Sequence, residues 1–196
     1  MKRARLRAFA RDRRGATALE FAIVAPVMLL MMMGLGDTLY QVYVQSILNG
    51  ALQKAARDSA IEGGASSTAT IDASVIAMVR TVAPKASYTS ARASYANFST
   101  IAPEPFTDTN GNGVRDPGEC FTDINGNGTW DANPGITGQG GADDVTMYTF
   151  TVTYPRLFPI AALIGWPSNQ TISSMSLLMN QPYATQTVTA PATICT

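Results

Sequence analysis

Hydrophobic and polar residues follow three different periods along this chain, and each period predicts a different element. From Ala16 to Gly36 the only polar residues are Thr17 and Glu20, and Phe21 to Leu35 contains none. A helix over that span reaches about 30 Å, enough to cross the hydrocarbon layer of a bilayer. Apolar residues then recur at intervals of three and four: Leu39, Val42, Tyr43, Ile47, Leu48, Leu52 and Ala55. Gln41, Gln45, Asn49, Gln53, Lys54, Arg57 and Asp58 fill the positions between them. That period predicts one helix continuing beyond the apolar run and ending near Gly63 and Gly64, with a kink expected at Pro26. Ser66 to Ala73 reads as a linker into a second helix over about Ile71–Ala83, with Val75, Val79 and Val82 on one face and Pro84 as its stop. Later the period falls to two. Ala86 to Thr100 alternates weakly. Val145 to Tyr154 alternates strongly, with Tyr148, Phe150, Val152 and Tyr154 on one face, and Thr171 to Met179 follows as a further strand. Between the last two strands, Leu157 to Trp166 is apolar but too short and too rich in proline to span a membrane; Phe158, Leu163, Ile164 and Trp166 are expected in the core, with an exposed contact patch or a second membrane contact as the competing reading. Helices first and strands last predict an α+β fold: a long N-terminal helix packed on a small antiparallel sheet, with an acidic loop insertion.

Charge fixes the direction of the helix. The formal net charge of the 196 residues is zero, yet Lys2, Arg3, Arg5, Arg7, Arg11, Arg13 and Arg14 cluster at the start with only Asp12 opposing them. A basic block abutting an apolar run is the cytoplasmic flank of a membrane segment, not a nucleic-acid-binding stripe. Residues 1–15 are therefore expected inside, 16–62 as membrane helix with amphipathic continuation, and 63–196 as an exported head. A cleaved secretory signal peptide and a buried core helix are the competing readings; the arginine flank speaks against the second, and against the first no clear small-x-small cleavage site follows the apolar run. The chain has no histidine, and no nucleophile–base pair stands out among its Ser, Asp and Tyr residues, so it reads as a non-enzyme.

Glu20 stands out, because a carboxylate within a membrane span needs a partner or a function. It can snorkel to Arg13 and Arg14. Alternatively, a cut between Gly15 and Ala16 would make it the fifth residue of a mature chain, one helical turn from a new α-amino group. The run from Arg13 through Gly15, Ala16, Glu20, Phe21, Ala25 and Pro26 to Val27 resembles the processing site and hydrophobic start of the TadE/TadG family, pseudopilins of tight-adherence (Tad, Flp-type) pilus systems. Leu39 to Ala51 and Ala55 to Asp58 resemble the family's amphipathic continuation, although Gly36-Asp37 departs from its more apolar pattern. The resemblance covers roughly residues 13–60. It implies a pilin-like head, leader removal at Gly15 by a prepilin peptidase, and a role for Glu20 in assembly. It also implies pilin-like subunits and an inner-membrane pilus platform as partners, and a single-pass inner-membrane location with the head periplasmic or extracellular. The alternative is a signal-anchored calcium-binding surface protein with no pilus role.

Residues 106–135 hold an internal repeat that the resemblance does not touch. In the first copy Asp108, Asn110, Asn112, Asp116 and Glu119 fall at positions 1, 3, 5, 9 and 12 of a Ca²⁺-loop pattern, with Gly113 at position 6 and the Val114 carbonyl at 7. The second copy keeps Asp123, Asn125, Asn127, Gly128, Thr129 and Asp131 but has Pro134 at position 12, so its closing ligand must come from elsewhere, with Asp143 and Asp144 as candidates. Prolines replace the flanking helices, so the repeat resembles the isolated calcium loops of dockerin-like and thrombospondin-type repeats. A flexible hairpin built of Asx turns is the competing reading. Structural Ca²⁺ is the expected cofactor. Cys120 and Cys195 form neither a zinc motif nor a CxxC pair, and in an exported head they are expected to form one disulfide.

Overall fold

The computed structural model describes residues 16–61, 66–158, 165–182 and 190–196. The expected leader 1–15 and the expected helix stop at Gly63 and Gly64 lie outside these. Helix α1 spans Ala16–Ala60 and continues through Pro26. Helix α2 (Thr68–Arg80) follows, so the Thr-rich segment expected as a linker instead forms the first turn of a helix. The strands are β1 (Ser87–Tyr95), β2 (Cys120–Asp123), β3 (Ile136–Thr137), β4 (Val145–Pro155), β5 (Asn169–Met179) and β6 (Ala192–Cys195). The fold is α+β.

The chain divides into two compact units that do not follow sequence order: Met1–Tyr43 with Pro155–Gln170, and Val44–Tyr154 with Thr171–Thr196. In the larger unit a four-stranded sheet has the order β3-β1-β4-β5, and β2 and β6 form a separate ribbon. β1 and β4 are antiparallel, from Ser87 opposite Thr153 to Tyr95 opposite Val145. The side-chain pairs Thr151–Ser173 and Thr153–Thr171 run in opposite senses, so β5 is antiparallel to β4 as well.

One sheet face carries Tyr148, Phe150, Val152, Tyr154, Ile172 and Leu178, all buried, and the core is completed by Val44, Leu48, Ala51, Leu52, Ala55 and Ala56 of α1 and by Ile71, Val75, Ile76 and Val79 of α2. The buried stripe of α1 thus differs from the expected one. Leu39, Val42 and Tyr43 are more than half exposed, and the spacing of four from Val44 to Leu48 to Leu52 to Ala56 selects the buried face. Gln45 Nε2 donates to the Ser173 carbonyl and Ser174 Oγ to Asn49 Oδ1, tying α1 to β5.

The last carbonyls of a helix have no partners within it. Here Gln139 Nε2 donates to the Ser59 carbonyl and the Gln181 N–H to that of Ala60. Asn180 extends this buried network, donating to the Gln139 and Gly141 carbonyls.

Under the sheet lies one buried ion pair, Asp72 of α2 with Arg92 of β1 at 2.6 Å. Ser90 Oγ and Tyr148 Oη also donate to the Asp72 carboxylate, and the guanidinium lies 3.9 Å from the Tyr148 ring centroid. Burial pushes the Asp72 carboxyl up, but hydrogen bonds from Arg92, Ser90 and Tyr148 and the Arg92 charge outweigh it, leaving the group below its ordinary value. Burial and the neighbouring Asp72 push the Tyr148 phenol well up.

Candidate functional site

Glu20 and Phe21 project from the first turns of α1 and are exposed, as are Leu19, Ile23, Leu29, Met31 and Leu35. Among the described residues α1 is the one helix long and apolar enough to cross a membrane. Gly15 lies outside the described residues, and Ala16 is the first residue of α1.

The acidic repeat folds into two loops with the same hydrogen bonds. In the first, Asp108 Oδ1 accepts from the Gly111 N–H at 2.7 Å and Oδ2 from the Gly113 N–H at 2.8 Å; Asn110 and Asn112 accept from the N–H two residues on. In the second, Asp123 accepts from Gly126 and Gly128 at 2.8 Å each, and Asn125 and Asn127 repeat the pattern onto Asn127 and Thr129. Gly113 and Gly128 have φ of 75° and 80°, a left-handed turn that favours glycine. The carboxamides of Asn110 and Asn112 converge on Asp116 Oδ2, and those of Asn125 and Asn127 on Asp131 Oδ2. Foremost the Gly113 N–H, with those of Gly111, Asn112 and Asn110, outweighs desolvation and holds the Asp108 carboxyl below its usual range.

The closing group of each loop is where the structure departs most from sequence reasoning. Glu119 Oε1 accepts from the Thr109 N–H at 2.7 Å and Oε2 from that of Asp116 at 3.0 Å, spanning positions 2 and 9 of the first loop. In the second loop those positions are Ile124 and Asp131, and both N–H groups donate to Glu104, at 2.7 and 2.9 Å. Glu104, not Asp143 or Asp144, is therefore the counterpart of Glu119. Asp144 instead accepts from the Gly141 N–H in its own turn.

The exchange follows from how the copies pair. Phe106 and Phe121 form an antiparallel bridge, with Thr107 N–H donating to Cys120 and Thr122 N–H to Pro105. Each copy begins with a glutamate four residues before its first aspartate, and antiparallel pairing carries that glutamate across to the other loop. Position 8 obeys the same pseudo-symmetry. The Arg115 guanidinium donates to the Glu119 carbonyl and covers the Phe121 ring, while the Trp130 indole N–H donates to the Glu104 carbonyl and the ring meets Phe106 edge-on. The sequence signal for Glu104 is thus the extended repeat Glu104-Pro105-Phe106-Thr107-Asp108 against Glu119-Cys120-Phe121-Thr122-Asp123.

Among the described residues no group of three or more His, Cys, Asp or Glu side chains gathers as a metal centre. Each loop brings together carboxylates and carboxamides instead, the Asn Oδ1 atoms accepting from backbone N–H groups and the Nδ2 groups donating to Asp116 or Asp131; the Val114 and Thr129 carbonyls belong to the same loops by sequence. Oxygen ligands of these kinds are the chemistry that suits Ca²⁺. Glu104 and Glu119 are 1% and 6% exposed, and the partners of their carboxylates are neutral backbone N–H groups. Buried charge of this kind calls for a counter-charge. Arg115 does not supply it, because its Nη2 turns to the carbonyls of Glu119 and Thr196.

Behind the loops, β2 and β6 pair with Cys120 opposite Cys195, and the two sulfurs are bonded across a Cα–Cα distance of 4.0 Å. The expected disulfide is present.

These features define an α+β head fastened by one disulfide, on a chain whose N-terminal helix is a candidate membrane anchor. Residues 15–57 match the sequence model of the TadE-like protein family, so this stretch is similar to that family. That family consists of Tad-pilus-associated structural components and is not a family of enzymes. The match covers under a quarter of the chain and includes neither the sheet nor the loop pair. No curated protein and no solved structure matches the chain.

Proposed function

We propose that this protein is a pseudopilin or minor pilin of a Tad-type pilus, processed between Gly15 and Ala16 by a prepilin peptidase. It inserts α1 among other pilin-like subunits at the inner-membrane platform and holds its head on the outer side. The observation that carries this reading is the TadE-like match over residues 15–57, which takes in Gly15, Glu20 and the apolar run together. Glu20 serves assembly: within a bilayer its carboxylate needs a cation, and the α-amino group of Ala16 on a neighbouring subunit supplies one. N-terminal sequencing of the membrane-extracted protein is expected to begin at Ala16. An intact Met1 would favour the alternative, a signal-anchored calcium-binding surface protein.

The same reading assigns the paired loops to structural Ca²⁺. The first would be held by Asp108, Asn110, Asn112, Val114, Asp116 and Glu119, and the second by Asp123, Asn125, Asn127, Thr129 and Asp131 with Glu104. Two buried glutamates with no basic partner among the described residues support it. Calcium here stiffens the head and supplies no chemistry to a reaction.

A further inference from the structure

In the segment joining β4 to β5, Leu163 and Ile164 lie outside the described residues, while Trp166, expected in the core, is 61% exposed and Leu157 55%. The segment belongs to the same compact unit as the apolar part of α1, and specific bonds fasten it there. Arg156 Nη1 donates to Asp37 Oδ2 at 2.6 Å, and the Leu157 N–H donates to Asp37 Oδ1 at 3.1 Å. Both charged side chains of this pair are largely shielded. Phe158 packs over Gly36 so closely that a Cβ there would meet the ring at 2.9 Å. Arg156 also donates to the Pro167 carbonyl and stacks 5.6 Å from the Trp166 ring centroid, and its N–H closes the base of the segment on Ser168.

The attachment point has a meaning along α1. Twenty residues of helix separate Thr17 from Asp37, a rise of about 30 Å, the thickness of the hydrocarbon layer. Asp37, with Arg156, thus falls one hydrocarbon thickness from the start of α1. From Leu157 to Gln170 the sequence has no charged residue, and the Arg156 charge is already matched by Asp37. Amphipathic aromatic rings beside an arginine at the end of a span are the usual occupants of the headgroup region.

We propose that the two described ends of this segment, Pro155–Phe158 and Gly165–Ser168, form an interfacial collar: they rest in the headgroup layer of the outer membrane face, with Leu157 and Trp166 turned into lipid and the Asp37–Arg156 pair setting their depth. The ligand is the bilayer surface, and the argument for it is continuity with the span itself. The inference rests on the reading of α1 as a membrane anchor.

Tryptophan fluorescence of the full chain in phosphatidylcholine–phosphatidylglycerol vesicles tests it. Trp130→Phe leaves Trp166 as the sole indole, and the difference between wild type and Trp166→Phe gives the same signal without touching the loops. The chain is expected to float with the vesicles and Trp166 to lose more emission to lipids brominated high on the acyl chain than to lipids brominated near its end. If the chain floats but Trp166 is quenched only by aqueous acrylamide, the collar lies in water and the proposal is overturned. If it floats and Trp166 is shielded from both quenchers, the patch meets protein and the proposal is again overturned. Failure to float removes the anchor reading and the collar together. Asp37→Asn is expected to weaken the shallow quenching while flotation persists; unchanged quenching would refute the depth-setting role of the pair.

Discussion

Glu104 carries more of the loop architecture than its position before the repeat suggests. Its carboxylate occupies for the second loop the place that Glu119 occupies for the first, bonded to the N–H groups of positions 2 and 9. If both loops bind Ca²⁺, thermal melts of the solubilised chain will show a higher midpoint with calcium than with EDTA. Glu104→Gln is then expected to remove about half of that difference, and Glu104→Gln with Glu119→Gln nearly all of it, because each substitution removes one closing carboxylate. An identical melt with and without EDTA would remove calcium from the account. Asp72 offers a separate residue-scale test. Its folded pKa lies below the ordinary 3.8, so its contribution is complete above that value and is lost as pH falls below it. The melting midpoint is expected to drop on acidification through that range. Asp72→Asn should cost about 3–5 kcal/mol near neutral pH, because Arg92 is left buried and unpaired, and should flatten the acid-side fall.

Elements differ in what holds them. β4 is secured by its own alternation, with the five side chains of one face, Thr146, Tyr148, Phe150, Val152 and Tyr154, all buried. β2 and β6 have four residues each; β2 is also tied to residues 105–107, whereas β6 is held by its pairing with β2, the cross-link and the Gly118 and Arg115 bonds to Thr196. Bridging two positions 75 residues apart contributes on the order of 4 to 5 kcal/mol in the chain-entropy picture, less any strain. Cys120→Ser with Cys195→Ser is therefore expected to lower denaturant stability by several kcal/mol and to expose the C-terminal tail to carboxypeptidase. Limited proteolysis followed by mass measurement reads the second effect directly. The elements also differ in legibility. α1, β4 and β5 follow from long periodic patterns, whereas β3 has two residues and β6 sits in a tail without alternation, so neither leaves a pattern to read.

For the whole molecule, α1 serves two environments. Residues 16–36 present apolar side chains outward, and from Val44 the helix presents one stripe to the core of the head. Assembly through the first part and folding through the second are thus separable. Glu20→Gln is expected to leave the size shift on leader removal and the melting midpoint of the head unchanged, while co-purification with other pilin subunits is lost. Unimpaired assembly would refute the role given to Glu20. The TadE-like match ends at residue 57, close to the end of α1, and so takes in neither the loop pair nor the segment between β4 and β5.

The membrane-length helix, the strong strands, the α+β class, the basic flank and the first acidic loop were all legible in the chain, because each is a local pattern: an apolar run, an alternation, a charge block, a fixed spacing of oxygen side chains. Three things needed the folded chain. The exchange of Glu104 and Glu119 depends on an antiparallel pairing between repeats. The pairing of Asp37 with Arg156 joins residues 119 positions apart, and beside it Trp166, expected in the core, is exposed. The buried face of α1 starts at Val44, not at Leu39, because burial is set by what packs against a helix, and periodicity alone cannot specify that partner.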